Sequence, residues 1–194
     1  TEPEQNGEKR ITEIFDAEPR LAIAWHKPTM PHQDDYVFDL IDQILGNGRT
    51  SRLYRSLVEE QQLATAVSVY GAPGSRYPNL FVIDAIPRHP HTTEELETAI
   101  YAELERLKNE LVGETELNKV RNRLVTDQLR QLRSNSGLAG LLTSYQSLAG
   151  DWRYLATYTR EIEKVSAEDI KAVANKYFTS SNRTVVVLNR GAGL

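Results

Sequence analysis

The sequence contains no cysteine and no long apolar run. Without thiols, the 194 residues can form no disulfide, no thiolate zinc site and no cysteine nucleophile. No stretch approaches the roughly 20 apolar residues that cross a bilayer, and the opening TEPEQNGEKR is polar where a secretory signal would be apolar. These absences predict a soluble chain without a membrane span. They leave its compartment open, with the cytoplasm and the periplasm as the bacterial alternatives.

An excess of positive charge is also missing. The 23 lysines and arginines are outnumbered by 27 acidic residues, which gives a formal net charge of −4. Such a chain has no overall positive field to attract a phosphate backbone, so nucleic acid is not an expected partner. What is present, 40% hydrophobic and 26% charged residues, is the composition of an ordinary globular domain, and the length favours one such domain.

The spacing of apolar residues predicts strands at both ends of a helical block. LAIAW (21–25), LATAVSVYG (63–71), LFVIDAIP (80–87) and RTVVVLN (183–189) have the composition of strands, and the middle two favour antiparallel pairing. Apolar residues at helical spacing precede residue 46 and recur between 92 and 178, with capping boxes at Thr92/Glu95 and Ser166/Asp169. We therefore expect residues 19–194 to form one α+β domain, a mostly antiparallel sheet with helices packed on one face. Residues 1–18 are interpreted as a polar linker or an artificial lead.

The segment Gly46-Asn47-Gly48-Arg49 has two interpretations. Its backbone amides could form an anion-binding nest, assisted by nearby arginines. However, no strand precedes it, and the Lys-Ser/Thr of a phosphate loop is missing. A helix stop is the favoured interpretation, with an anion- or nucleotide-binding α+β module kept as the weakest functional alternative.

Candidate metal ligands and acid–base groups are few. His26 and His32 are six residues apart in a turn, and His89 and His91 flank a proline. Neither pair has a third ligand at a zinc-site spacing, so we predict no metal site and no catalytic residue in this chain. Asp84 interrupts an apolar strand without a second acid nearby, which indicates a strand-end or water-facing residue.

Two groups of residues in the helical block are assigned packing roles. We expect small residues to let helices approach closely, and aromatic residues to line a helix interface in preference to forming a binding cage. The small residues are Gly137, Ala139 and Gly140, and the aromatic residues are Tyr145, Trp152, Tyr154 and Tyr158.

Four strings together resemble one protein family. They are DLIDQILGNGRTSRLYRSLVEEQQLATAVSV (39–69), LFVIDAIP, LVGETELNKVRNRL (111–124) and VSAEDIKAVANKYFTSSNRTVVVL (165–188). As a set they resemble the C-terminal domain of insulinase/pitrilysin-type zinc metallopeptidases of the processing-protease branch. The resemblance covers about residues 19–190 and implies a clamshell of repeated domains around a proteolytic chamber.

The resemblance also implies where zinc would lie. In this family the N-terminal half carries His-x-x-Glu-His, whose histidines and a downstream glutamate hold zinc while the motif glutamate acts as general base. That motif is absent from this sequence. The resemblance thus implies zinc in an upstream half or a partner subunit, and no cofactor in this chain.

The C-terminal half of active relatives supplies an arginine and a tyrosine seven residues apart, which grip the substrate and polarise its carbonyl. The resemblance puts Val58 and Thr65 at these two positions. Valine has no donor and threonine is much shorter than tyrosine, so the pair is expected to be lost. Arg49, Arg52 and Arg55 lie nearby and are expected on the solvated face of a short helix.

The resemblance therefore implies a non-zinc domain that completes the chamber of a zinc endopeptidase, confines peptide substrates, and is inactive alone. The alternative is a catalytically inactive scaffold or peptide-holding subunit of the same fold. Expected partners are peptides, a zinc-bearing N-terminal half, and a related subunit in a homo- or heterodimer.

Overall fold

A computed structural model describes residues 5–191, which form five β-strands and six α-helices. In chain order they are β1 Lys9–Phe15, β2 Arg20–Lys27, α1 Gln33–Leu45, a π-helix Tyr54–Glu60, β3 Ala64–Ala72, β4 Asn79–Pro87, α2 Thr93–Asn109, α3 Glu114–Gln131, α4 Asn135–Leu148, α5 Tyr154–Lys164, α6 Ala167–Tyr177, a 3₁₀-turn Ser180–Asn182 and β5 Arg183–Arg190. Among the described residues, no helix combines the length and apolarity needed to cross a membrane.

The five strands form one sheet in the order β1-β5-β2-β4-β3. Three of the four strand pairs are antiparallel, and β1 pairs with β5 in parallel. Ile23 lies opposite Ile83 on one side and Val185 on the other, so all three side chains point to the same face. The predicted mostly antiparallel sheet is confirmed.

The helices cover the face that carries these residues. Leu21, Ile23 and Trp25 of β2 are almost fully buried there, whereas the alternating alanines between them are only half-buried. The edge of the Phe178 ring meets Trp25, with centroids 5.2 Å apart, just beyond α6. On the other face of the sheet, Ile11 of β1 and Val186 of β5 remain exposed. The predicted α+β architecture with helices on one face is confirmed.

The first strand corrects the interpretation of residues 1–18 as a linker. Lys9–Phe15 is part of the sheet, in register with Thr184–Arg190. Every residue of this strand is exposed, so the sequence carries no burial pattern that would reveal it. Its hydrogen-bonding partner is the last strand of the described chain, which local sequence patterns cannot indicate.

Both predicted capping boxes are present. The Thr92 hydroxyl accepts from the Glu95 amide, and the Glu95 carboxylate accepts from the Thr92 amide at 2.8 Å. Ser166 and Asp169 make the same reciprocal pair at the start of α6. These contacts satisfy amide groups that have no partner within the helix, which fixes where α2 and α6 begin.

Candidate functional site

The two positions expected to have lost the substrate-gripping pair lie on either side of one turn. Val58 is in the π-helix and packs, partly buried, against the core. Thr65 is exposed in β3, where the pairing with β4 shifts between Ala64 and Ala66. Its hydroxyl donates to the Ile86 carbonyl at 3.3 Å. Val58 therefore offers no polar donor, and the single hydroxyl of Thr65 is directed to its own sheet.

The three nearby arginines have different surroundings. Arg49 is exposed, and Arg55 is more than half exposed and faces Glu60 at 3.4 Å. Arg52 is not on a solvated face, because its guanidinium makes two hydrogen bonds to Glu116 of α3, at 3.0 and 2.6 Å. The expectation for Arg52 is wrong, and its side chain instead joins this segment to α3.

The glycine loop ends α1, as the helix-stop interpretation predicts. A Cβ at Gly46 would lie 2.3 Å from the Val69 Cβ, so only glycine lets the end of α1 approach β3 this closely. Gly48, with φ of +86°, takes the left-handed conformation. The Arg123 guanidinium donates to the Asn47 carbonyl and side-chain oxygens at 2.9 and 2.6 Å. The loop thus presents two oxygen atoms of Asn47 to the Arg123 guanidinium. This arrangement does not favour the interpretation of the loop as an anion-binding nest.

The four histidines are dispersed. His26 is paired with Gln5 at 3.3 Å, and His91 with Glu95 at 3.2 Å, while His89 is exposed. His32 caps α1, because its Nδ1 accepts the Asp34 amide at 3.0 Å. A histidine cap was not predicted, since the usual N-cap residues are serine, threonine, aspartate and asparagine.

Asp84 is neither at a strand end nor water-facing. It lies in the middle of β4, almost buried, and its two carboxylate oxygens accept from the Arg20 Nε at 2.8 and 3.0 Å. The arginine that neutralises Asp84 comes from β2, 64 residues away in the chain. This pairing explains how an acid is tolerated within an apolar strand.

The small and aromatic residues of the helical block differ from expectation. Gly140 has open space around it, and α4 buries no residue, so close packing at Gly140 is not observed. Trp152 is exposed. The three tyrosines do meet at a helix interface, but they also line a cavity between α1, α4, α5 and the β3–β4 hairpin. The three tyrosines therefore pack between helices and also form part of the cavity wall.

This cavity has acidic side chains of α1 in its wall. Tyr158 donates a 2.8 Å hydrogen bond to Asp39 Oδ2. Burial, reinforced by the nearby Asp35 charge, raises the pKa of Asp39 to about 7. Burial also raises the pKa of Asp42 to about 6. Sequence analysis missed these acids, although the spacing i, i+4, i+7 of Asp35, Asp39 and Asp42 places them on one helix face.

Comparison with known proteins decides the family. The model of the Peptidase M16 inactive domain matches residues 1–124, well over half of the chain. The chain belongs to this family. The predicted relationship to the C-terminal domain of these zinc metallopeptidases is confirmed.

Individual relatives agree with membership of the M16 family. The zinc protease PqqE of Helicobacter pylori is 29% identical over 168 residues, which cover 87% of this chain and 37% of PqqE. A crystallised H. pylori protease matches with a TM-score of 0.90 and 27% identity over 96% of this chain and 45% of that one. An inactive peptidase domain from Bordetella parapertussis shares the fold, with a TM-score of 0.76, 23% identity and coverage of 90% and 92%. The chain thus spans less than half of its H. pylori relatives.

The side chains of this M16 inactive domain do not fit a zinc ion. Within residues 5–191, no group of three or more His, Cys, Asp or Glu side chains is arranged to hold a metal. Three of its four histidines are instead engaged in capping α1 or in pairs with Gln5 and Glu95, and the fourth, His89, is exposed. Zinc needs three or four converging ligands, so no reaction step through a metal is derived for these residues.

Proposed function

We propose that this chain is the non-zinc C-terminal domain of a zinc endopeptidase, where it completes the proteolytic chamber and helps to confine peptide substrates. The observation that carries this proposal is membership of the M16 inactive-domain family in a chain whose residues 5–191 contain no set of donors that fits zinc. Zinc, when bound elsewhere in the protease, would lower the pKa of a coordinated water so that hydroxide forms near neutral pH.

The surroundings of Val58 and Thr65 support loss of the substrate-gripping pair. A transition-state oxyanion needs donors about 3 Å away in a fixed arrangement. Val58 packs against the core, and the Thr65 hydroxyl donates to the Ile86 carbonyl. We infer that any arginine and tyrosine required for cleavage come from a related subunit.

Two exposed apolar surfaces support association with an upstream half. Ile11 and Val186 are neighbours in adjacent strands and are 50% and 39% exposed. On the opposite layer, α4 buries none of its residues, and Leu138 and Trp152 are exposed. Apolar surface of this kind is stabilised when another body covers it. The match covers only 37% of PqqE, and the remainder of that relative is long enough to form such a body.

The decisive experiment compares the isolated chain with the full-length protein. We expect the isolated chain to contain no stoichiometric zinc and to cleave no fluorogenic peptide. We expect the full-length protein, or its complex with a related subunit, to contain zinc and to cleave. Zinc-dependent cleavage by the isolated chain would overturn the proposal.

The scaffold alternative draws on the same loss at Val58 and Thr65. It predicts no His-x-x-Glu-His in the upstream residues and a stable complex with an active homologue. Native mass spectrometry with metal analysis of the complex separates the two functions, because only the proposed endopeptidase retains zinc in the polypeptide that contains this domain.

A further inference from the structure

The cavity behind α1 has a volume of about 450 Å³ and lies away from Val58 and Thr65. Its wall includes Asp39 and Asp42 of α1, Asn79 at the start of β4, and tyrosines from α4 and α5. This volume is within the range of small-ligand sites, typically 300–1,000 Å³. The space is therefore large enough for a long side chain or a small organic molecule.

The charges of the cavity are unbalanced. Of its three aspartates, Asp35 is neutralised by the Lys27 ammonium, 2.5 Å from Asp35 Oδ1. Asp39 accepts a hydrogen bond only from the uncharged Tyr158 hydroxyl, and Asp42 accepts none from the side chains of residues 5–191. Lys27 and Arg123 act on Asp42 through their charge alone, and Arg123 is bound to Asn47. Two carboxylates thus face the cavity without an ion-pair partner.

Independent evidence for a ligand comes from Asn79, whose side-chain oxygen lacks a hydrogen-bond donor among residues 5–191. It is 5% exposed, and its Nδ2 donates to the Gly74 carbonyl at 2.5 Å. Its Oδ1 is buried and accepts no hydrogen bond within the described part of the chain. A buried acceptor without a donor is unfavourable, so a ligand with N–H groups that reaches this oxygen would be stabilised here.

The aromatic wall suits an organic cation. The Tyr154 ring centroid is 5.0 Å from that of Tyr145 and 6.2 Å from that of Tyr158, so the rings form a continuous cluster. Tyrosine rings attract ammonium and guanidinium groups, and the attraction is stronger when water is excluded. Within residues 5–191, no group of three or more metal-ligating side chains converges, which favours an organic cation over a metal ion.

We propose that this cavity binds the ammonium or guanidinium group of a lysine or arginine side chain, with Asp39 and Asp42 as its counter-ions and Asn79 Oδ1 as an acceptor. The proposal does not rest on the proposed role in a peptidase. The raised pKa values of Asp39 and Asp42 agree with two acids that have room for a cation but hold none. A bound cation would lower both pKa values and so release protons.

The isolated chain is a suitable protein for the test, since the B. parapertussis domain, 92% of which this chain covers, was solved as a separate chain. Isothermal titration calorimetry at pH 8 would compare three blocked alanine-rich peptides that differ at one central position: lysine, arginine or norleucine. We expect the lysine and arginine peptides to bind at least about tenfold more tightly than the norleucine peptide, which has a similar stem without the charge.

Substitutions in the chain test the counter-ions. The double variant Asp39→Asn/Asp42→Asn is expected to lose at least about tenfold of the affinity for the lysine peptide. Asp16→Asn/Asp151→Asn changes the net charge equally at two exposed positions and should bind as the unmodified chain does. Asn79→Ala, which keeps all charges, should weaken binding several-fold by removing the acceptor.

A second measurement does not depend on the variants. Near pH 7, where Asp39 is about half protonated, we expect binding of the lysine peptide to release up to roughly half a proton, seen as a dependence of the measured heat on the buffer. Equal affinity for norleucine and lysine, full affinity in the Asp39/Asp42 double variant, or displacement of the peptide by millimolar Ca²⁺ or Mg²⁺ would overturn the proposal.

The source of the basic side chain can be found in the full-length protein. Carbodiimide cross-linking followed by peptide mapping would join Asp39 or Asp42 to a lysine of the same polypeptide other than Lys27, which already lines the cavity, if the protein fills its own cavity. A link to an added lysine peptide would identify an external ligand. Both results support a lysine-binding cavity. The proposal would be contradicted if neither Asp39 nor Asp42 were cross-linked under conditions in which exposed acids react.

Discussion

The Arg10 guanidinium holds both oxygens of the Glu97 carboxylate, at 3.0 and 2.5 Å. This pair joins the first strand to α2 across 87 residues of sequence. Tyr101 adds a 2.6 Å hydrogen bond to the same carboxylate. The favourable partners lower the pKa of Glu97 despite the opposing effect of burial, so the carboxylate is charged in the folded state.

Removal of this pair should weaken the attachment of β1 to α2 while leaving its pairing with β5 in place. Arg10→Ala leaves Glu97 largely buried, with the Tyr101 hydroxyl as its one remaining hydrogen-bond donor among the side chains of residues 5–191, and we expect it to cost about 1–3 kcal/mol of unfolding free energy. Arg153→Ala, which removes an exposed pair with Asp151, should change stability by less than about 0.5 kcal/mol. Urea unfolding compares the two, and equal effects would show that the Arg10 contact is not a structural tie.

Two glycine-to-alanine changes should have opposite signs. Gly46→Ala places a methyl group 2.3 Å from the Val69 Cβ, which forces α1 and β3 apart and should cost about 1–3 kcal/mol. Gly140→Ala lies within α4 with open space around it and should stabilise by about 0.5–1 kcal/mol through helix propensity. Thermal unfolding measures both, and a neutral Gly46→Ala would refute the close approach.

Asp39 and Asp42 should make the domain less stable as pH rises from about 5 to 8. Their folded pKa values, about 7 and 6, are raised above the value of 3.8 expected when unfolded. In this window the native state binds more protons than the unfolded state, so increasing pH favours unfolding. The charges that face Asp39 are Asp35 and Asp42 of its own helix and Lys27 of β2, with the Tyr158 hydroxyl from α5.

Asp39→Asn tests this pH dependence. Relative to the variant, the unmodified chain should lose on the order of 2–3 kcal/mol between pH 5 and pH 8. The comparison uses urea unfolding of both proteins at several pH values, so the contributions of the groups that both proteins share cancel. Asp151→Asn, at an exposed position, should give a curve parallel to that of the unmodified chain. A parallel curve for Asp39→Asn would contradict the prediction.

Two arginines of the segment after α1, Arg52 and Arg49, should contribute very differently to the stability of the domain. Arg52→Ala breaks two hydrogen bonds to Glu116 and should destabilise by about 1–3 kcal/mol. Arg49→Ala should change stability by less than about 0.5 kcal/mol, because Arg49 is exposed. Chemical denaturation measures the unfolding free energy of both variants. An unchanged value for Arg52→Ala would mean that its hydrogen bonds to Glu116 do not stabilise the domain.

Local sequence patterns predicted those parts of the fold whose signals are local. The capping boxes at Thr92 and Ser166 are present, and the alternation of Leu21, Ile23 and Trp25 marks a strand with one buried face. Strand β1 escaped prediction because its stability comes from pairing with a strand at the other end of the chain, and none of its side chains is buried.

The candidate site was predictable only in part. Family resemblance directed attention to Val58 and Thr65, yet the hydrogen bond from Thr65 to Ile86 depends on the irregular pairing of β3 with β4. The acidic cavity needed tertiary information, because the polar face of α1 becomes a wall only where Tyr145 and Tyr158 pack opposite it. A one-sided row of acids looks like a solvated helix face until those partners are known.

The parallel pairing of β1 and β5 has a mechanical consequence. Lys9 is beside Thr184 and Phe15 beside Arg190, so tension on residues before β1 and after β5 pulls the two strands in opposite directions along their length. All the hydrogen bonds between them are then loaded together in shear, whereas an antiparallel hairpin pulled at its open end would unzip one bond at a time. Single-molecule stretching through these two points should therefore meet one high-force rupture.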